Sequence, residues 1–310
     1  MTHNILLTCP PMIKQISRYE FLLDEYNFKI TIPDFQQVMT EEELCKIIGQ
    51  YDGWIIGDDP ATRKVFETGK QGHLKACVKW GVGTDNVDFD ACKELNIPVC
   101  NTPQMFGEEV SDVAIGYLLC LSRQLHSIHN SVVNNDWIKP CGETLTGKKV
   151  CVVGFGDIGQ CIVRKLQAFN MNIWVSDPLY IDKKTEYNNI NIDILDNCLE
   201  NANYVITCCP LNKYTFHLLN KEKILLCQKG VKVINVGRGP IICEKGVIEL
   251  LENTFIDSVG FDVFEEEPLS CNSKLRDFKQ NIFGTHNGSN TLEAVDKVSK
   301  VVWDRLKSYF

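Results

Sequence analysis

The chain has 310 residues, 44% apolar and 23% charged, with a formal net charge of −8 at pH 7. That length predicts two domains, each with a core of its own, and the acidic balance argues against nucleic acid or an anionic membrane as the main partner. No apolar run reaches the ~20 residues that span a bilayer, and the opening MTHNILLTCPP is too short an apolar stretch for a signal peptide, so a cytoplasmic location is expected.

In chain order, short β-rich runs alternate with helical stretches, the pattern of a parallel-sheet α/β fold. Strands are predicted at Asn4–Thr8, Phe28–Ile32, Gly53–Gly57, Leu74–Lys79 and Ile97–Cys100. A helix is predicted over Thr40–Gly49, where Thr40 can cap and Glu43 can complete a capping box. Val110–Leu125 has the spacing of one buried helix, a connector too short to be a membrane span. A second series of strands follows at Lys148–Val153, Asn172–Ser176, Asn203–Thr207, Lys232–Val236, Asp257–Val263 and Asn281–Gly284. Near the end, Val295, Val298, Val302 and Leu306 fall at helical spacing, and that helix is expected to pack back onto one lobe. The fold class expected is α/β: two lobes with parallel sheets and a cleft between them for a ligand.

Fifteen cysteines is a high number, but it is odd and contains no C-x-x-C pair. A zinc cluster favours closely spaced ligand pairs, and a disulfide scaffold favours a small secreted chain. Reduced thiols serving as small buried hydrophobes are expected, and no metal.

Residues 154–159 read G-F-G-D-I-G, after the strand-like KKVCVV and before the helix-like QCIVRKLQAF. This is G-x-G-x-x-G in its strand–turn–helix setting. Gly154 permits the tight turn, Gly156 lets backbone approach a pyrophosphate, and Gly159 lets helix pack on strand. The helix N-terminus offers unpaired N–H groups to the phosphates. Asp177 ends the next predicted strand, where a carboxylate bonds ribose hydroxyls and repels a 2′-phosphate. No Arg follows in Pro178-Leu179-Tyr180, so NAD is expected rather than NADP.

Of the six histidines, His286 directly follows a predicted strand, where an acid/base group would sit. Arg238, in VINVGRGP, ends a buried strand, a costly place for a charge unless it points at an anion; its planar fork suits a carboxylate. Asp262 ends the next strand and Glu267 precedes a Pro in FDVFEEEP. In KWGVGTDNVD a further glycine turn can offer backbone N–H groups to a second anion, with Lys79 beside it.

Together GVGTDNVD (81–88), the NTP turn (101–103), GFGDIG with Asp177-Pro178, NVGRG (235–239), DVFEEEP (262–268) and His286 with Thr291-Leu292-Glu293-Ala294 are specific. Over about residues 50–300 the chain resembles the D-isomer-specific 2-hydroxyacid dehydrogenases, most of all their short-form phosphoglycerate dehydrogenase branch. The resemblance implies an NAD-dependent oxidoreductase acting on a CH–OH group. In it Arg238 binds the substrate carboxylate and keto oxygen, His286 is the general acid/base, and Glu267 pairs with His286, favouring its protonated form and setting its orientation. Val82 and Gly83 would hold the carboxylate through backbone N–H groups, with Lys79 the candidate cation for a phosphorylated substrate. Cofactor contacts are implied for Gly154, Gly156, Asp157, Ile158, Gly159, Asp177, Pro178, Cys208, Pro210, Thr215 and Val236, and for Asp262 at the nicotinamide carboxamide. The resemblance also implies a discontinuous flavodoxin-like substrate domain, 1–101 with 288–310, around a Rossmann domain, 102–287, and a homodimer involving the 103–125 helix. Because the sequence stops at Phe310, the regulatory extension of long phosphoglycerate dehydrogenases, and feedback through it, is not expected.

The sequence departs from the family pattern in places. Cys208 stands where His is frequent, Asn212 where Thr is common, and Asn170 where Gly is usual, which Asn tolerates if that residue is left-handed. Asn287, Thr285 and Asp112 also differ, so the turn at His286 and the substrate preference can differ too. Two alternatives stand beside the enzyme: an NAD(H)-gated binding protein like the corepressors built on this fold, and a redox scaffold using Cys208-Cys209. The substrate acid is left open among phosphohydroxypyruvate, hydroxypyruvate, glyoxylate and others.

Overall fold

The alternation of strand and helix builds two separate parallel sheets in the computed structural model, which describes residues 1–310 except 36, 182 and 184–186. The chain divides into one unit of Met1–Met105 with Asn290–Phe310 and another of Phe106–Ser289.

In the first unit, β1 (His3–Leu7), β2 (Phe28–Thr31), β3 (Gly53–Ile56), β4 (Ala76–Lys79) and β5 (Val99–Cys100) pair in the order β2-β1-β3-β4-β5. That is the flavodoxin order. β3 and β4 are buried at every residue, so they read as unbroken apolar runs rather than alternating ones. Thr40 and Glu43 form the predicted capping box at the start of helix Glu41–Ile47. The late helix Leu292–Lys307 buries Val295, Val298, Val302, Trp303 and Leu306. It is tied to the early chain by the Tyr19 and Tyr26 hydroxyls, which donate to Asp296 (3.2 Å) and Asp304 (2.6 Å).

In the second unit, β6 (Lys149–Val153), β7 (Asn172–Ser176), β8 (Ile190–Ile192), β9 (Tyr204–Thr207), β10 (Val231–Asn235), β11 (Ile256–Phe261) and β12 (Ile282–Phe283) are all parallel. Their order, β12-β11-β10-β9-β6-β7-β8, is the dinucleotide-binding one with an added edge strand. Strand order reverses between β6 and β9, and ligands of such sheets bind outside the carboxyl ends at that point. β8 escapes sequence analysis because only three residues of an Asn-rich stretch pair, and none is buried. The predicted helix at Val110–Leu125 runs Gly107–Arg123, stops where Gln124 turns left-handed (φ +52°), and is followed by a second helix, Leu125–Val133. Asn170 does take the left-handed conformation, φ +53°. The fifteen cysteines form no disulfide, and seven of them are buried. Among the described residues no helix is long and apolar enough to cross a membrane.

Candidate active site

The buried strand β6 ends at Val153, and helix Asp157–Gln167 begins four residues later. Gly154 takes φ +102°, and a Cβ there would lie 2.8 Å from the backbone nitrogen of Cys209. A Cβ on Gly159 would lie 2.2 Å from the Gly154 carbonyl oxygen, so the bare glycine lets the helix rest on the loop. At Gly156 a Cβ would meet nothing within 4 Å; it would fill open space. Gly156 is also the N-cap and supplies no capping side chain. The first helical bond runs from Gln160 N–H to the Gly156 carbonyl, so the N–H groups of Asp157, Ile158 and Gly159 stand at the positive helix end without helical acceptors. Loop and helix together form a cradle for an anion. The Asp157 side chain is turned away, against Gly107, so its backbone N–H is what it offers.

Asp177 follows β7 and closes the loop from the other side. One carboxylate oxygen accepts the Phe155 N–H at 2.8 Å and the other the Leu179 N–H at 2.9 Å. A carboxylate has about four acceptor positions, so two remain for hydroxyl groups. Phe155 and Tyr180 pack edge to face at 5.0 Å beside it, a wall that sequence analysis did not anticipate. Pro178 is exposed next to Asp177.

Cys208 follows β9. Its thiol donates to the Gly154 carbonyl at 3.3 Å, and a Cβ on Gly159 would lie 3.3 Å from its sulfur. The side chain thus packs beneath the glycine loop, where burial pushes the thiol pKa well up. Pro210, Asn212 and Thr215 form one turn: the Thr215 hydroxyl donates to the Pro210 carbonyl (2.7 Å) and accepts the Asn212 N–H (2.8 Å).

β10 leads into the Arg238 turn through Val236, which is buried. The turn is shaped by Asn235, a residue sequence analysis passed over. The buried Asn235 amide accepts from Thr207 Oγ1 (2.8 Å) and Gly237 N–H (3.0 Å) and donates to the Arg238 carbonyl (3.0 Å). At Gly239 a Cβ would lie 1.8 Å from both the carbonyl carbon and oxygen of Phe264. The Arg238 turn and the turn that carries Glu267 therefore touch backbone to backbone.

In that second turn, which contains a cis Glu267–Pro268 peptide, Glu267 Oε1 accepts the Phe264 N–H at 3.0 Å. Oε2 lies 2.8 Å from His286 Nδ1. An ionised carboxylate only accepts, so in this pair Nδ1 carries the hydrogen. Both side chains are about a quarter exposed. His286 is held in a left-handed conformation, φ +54°, with its N–H donating to the Asp262 carbonyl at 2.7 Å. Asp262 itself is buried and accepts from Tyr117 Oη (3.1 Å) and from Gly288 N–H (2.8 Å). Burial and the Asp262 carboxylate both push the Tyr117 phenol above its ordinary pKa, keeping it a donor. One buried aspartate thus ties down both ends of the loop that presents His286.

The first unit carries the remaining predicted residues. Gly81 takes φ +125°, and its backbone N–H and carbonyl both bond the Thr102 side chain. The Val82 carbonyl accepts from Asn101, while the N–H groups of Val82 and Gly83 have no acceptor among the described residues. Lys79 is not in an open pocket. It is 2% exposed, and its ammonium donates to the Gly57 carbonyl (2.5 Å) and to Asp58 (3.0 Å).

Residues 115–288 match the family model described as the NAD binding domain of D-isomer specific 2-hydroxyacid dehydrogenase. The chain is 33% identical over 276 residues to D-3-phosphoglycerate dehydrogenase of Methanocaldococcus jannaschii, covering 87% of itself and 52% of that protein. It therefore spans about half the length of that relative. It is 29% identical over 284 residues to hydroxypyruvate reductase of Thermotoga maritima, covering 90% of each. Among solved structures, the apo form of Escherichia coli D-lactate dehydrogenase superposes with a TM-score of 0.83 at 26% identity, covering 98% of this chain and 96% of that one.

Proposed function

The chain belongs to the D-isomer specific 2-hydroxyacid dehydrogenases, oxidoreductases that act with NAD on a CH–OH group, and we propose that it interconverts a small 2-hydroxy acid and its 2-oxo acid. The observation that carries this reading is the Glu267–His286 pair at 2.8 Å, mounted on a buried aspartate beside the Arg238 turn. When bound, NAD supplies hydride transfer at the acid's C2. Its phosphates suit the cradle over Gly156, and its ribose hydroxyls suit the acceptor positions left on Asp177.

The protein's own work is then to bind the acid and move one proton. Arg238 pairs with the carboxylate and with the C2 oxygen as charge grows there. His286 Nε2 gives a proton to that oxygen in reduction and takes it back in oxidation, while Glu267 holds the ring from behind. Asp262 acts by holding the His286 loop. For the acid itself we favour an unphosphorylated one, because the Lys79 charge is already matched by Asp58.

NADH oxidation against hydroxypyruvate, glyoxylate, pyruvate, 2-oxoglutarate and 3-phosphohydroxypyruvate tests this, with NADPH in parallel. Turnover of an unphosphorylated acid is expected, with NADH preferred because Asp177 repels a 2′-phosphate. Preference for the phosphorylated acid would overturn the Lys79 argument and leave the chemistry standing. Tight NADH binding with no turnover would overturn the enzyme and favour an NAD(H)-gated binding protein.

A homodimer forms part of the proposal. Supporting it, Leu125, Val132, Val133 and Trp137 follow one another closely in the second unit with side chains at least 49% exposed, more apolar surface than one segment ordinarily leaves to water. Sedimentation equilibrium should give twice the chain mass, and Trp137→Glu should lower it toward one. A monomeric parent protein would refute the dimer.

A further inference from the structure

A second constellation in the same unit is used by none of these roles. His217, Cys243 and Glu265 come from three separate stretches, yet a ring nitrogen, the sulfur and a carboxylate oxygen all lie within 4.8 Å of one another. Their closeness is built into the backbone. His217 N–H donates to the Pro240 carbonyl and Leu219 N–H to the Ile241 carbonyl, while Cys243 N–H donates to the Leu219 carbonyl. The segments of His217 and Cys243 are thus zipped together as a short parallel pair. Glu265 is fastened reciprocally: its N–H donates to Glu244 Oε1 (2.7 Å), and its Oε1 accepts the Glu244 N–H (2.9 Å). The same Oε1 lies 2.9 Å from His217 Nε2. His217 sits at φ +49°, a conformation few non-glycine residues take, and one that persists only where surrounding structure imposes it.

We propose that His217, Cys243 and Glu265 bind a zinc ion, or a divalent transition metal of similar preference, with water in the fourth position. One soft, one borderline and one hard donor is the mixture zinc accepts and magnesium or calcium does not. Tetrahedral zinc at ~2.0–2.3 Å from each ligand holds the ligands roughly 3.3–3.8 Å apart, so a contraction of about 1 Å closes the set. The surroundings favour a cation. Glu244, whose Oε1 accepts the Glu265 N–H, places a further carboxylate beside the three. Bound metal would pin the start of helix Glu244–Glu252 to the turn that carries Glu267, which stabilises the folded second unit.

The test uses the whole protein, freed of metal with a chelator, and cobalt(II) as the probe, because a thiolate ligand to cobalt gives a near-ultraviolet charge-transfer band. One equivalent should produce that band, and zinc should displace it. Cys243→Ser should abolish the band, and His217→Gln should weaken cobalt binding by more than about tenfold, since even loss of a partner behind a ligand costs 10–100-fold. Cys271→Ser, which removes an exposed thiol elsewhere, should leave the titration unchanged. Far-ultraviolet circular dichroism of each variant guards against misfolding. Absence of a one-equivalent band, or its persistence in Cys243→Ser, would overturn the proposal.

Discussion

Replacing His286 with Asn should lower kcat by about 10²–10⁴-fold, the range for one acid/base group, while NADH affinity stays close to that of the parent. The imidazole is held at Nδ1 by Glu267 and through its own backbone N–H by Asp262, so it is the Nε2 position that the substitution removes. The cradle proposed for the dinucleotide, by contrast, comprises Gly154, Gly156, Gly159 and Asp177, none of which touches that loop in the hydrogen bonds described. Steady-state turnover and fluorescence titration with NADH separate the two quantities. A loss of NADH affinity as large as the loss of turnover would mean that His286 supports the cofactor site rather than the proton transfer.

Gly239→Ala should be the most damaging single methyl group in the second unit. The new Cβ would stand 1.8 Å from two backbone atoms of Phe264 and 2.4 Å from the Glu265 nitrogen. No side chain can rotate out of the way, so the two turns must separate. Overpacking in a well-filled interior destabilises by ~1–3 kcal/mol and occasionally more, and a backbone-on-backbone clash belongs at or above the top of that range. Separation also pulls Arg238 away from the turn that fixes Glu267, so whatever protein folds should be nearly inactive. Gly116→Ala is the matched control: it lies in helix Gly107–Arg123 with nothing within 4 Å of the added carbon, and alanine there should stabilise by about 0.5–1 kcal/mol. Calorimetry on the pair checks both signs; equal melting temperatures would refute the clash argument.

What could be read in advance was whatever depends on neighbours along the chain. The glycine spacing at 154–159, the acid at 177 and the capping box at Thr40 are local patterns with local causes. What could not be read was set by residues far apart in sequence. Tyr117 reaches Asp262 across 145 positions, and nothing in the helix around it marks it as a hydroxyl with a partner. Asn235 looks like one more polar residue at a strand end until Thr207 and Gly237 are seen to share its amide oxygen. Lys79 has the residue type of an anion ligand, but its charge is taken up by Asp58 and the Gly57 carbonyl from the neighbouring strand end. The cluster of His217, Cys243 and Glu265 has no spacing signature at all, because three separate turns supply it.

The first unit closes with helix Leu292–Lys307, and that has a consequence for synthesis. Its sheet strands are all made by Cys100, but the buried faces that Val298, Val302 and Trp303 fill must wait for the intervening chain. At ~5–20 residues per second, roughly 190 residues take about 10–40 s to emerge. During that time the intervening unit, contiguous from Phe106 to Ser289, can complete its own sheet, so the piece encoded second matures first. The nascent amino-terminal strands, rich in apolar residues and lacking their last helix, are the segment most in need of a chaperone on the ribosome.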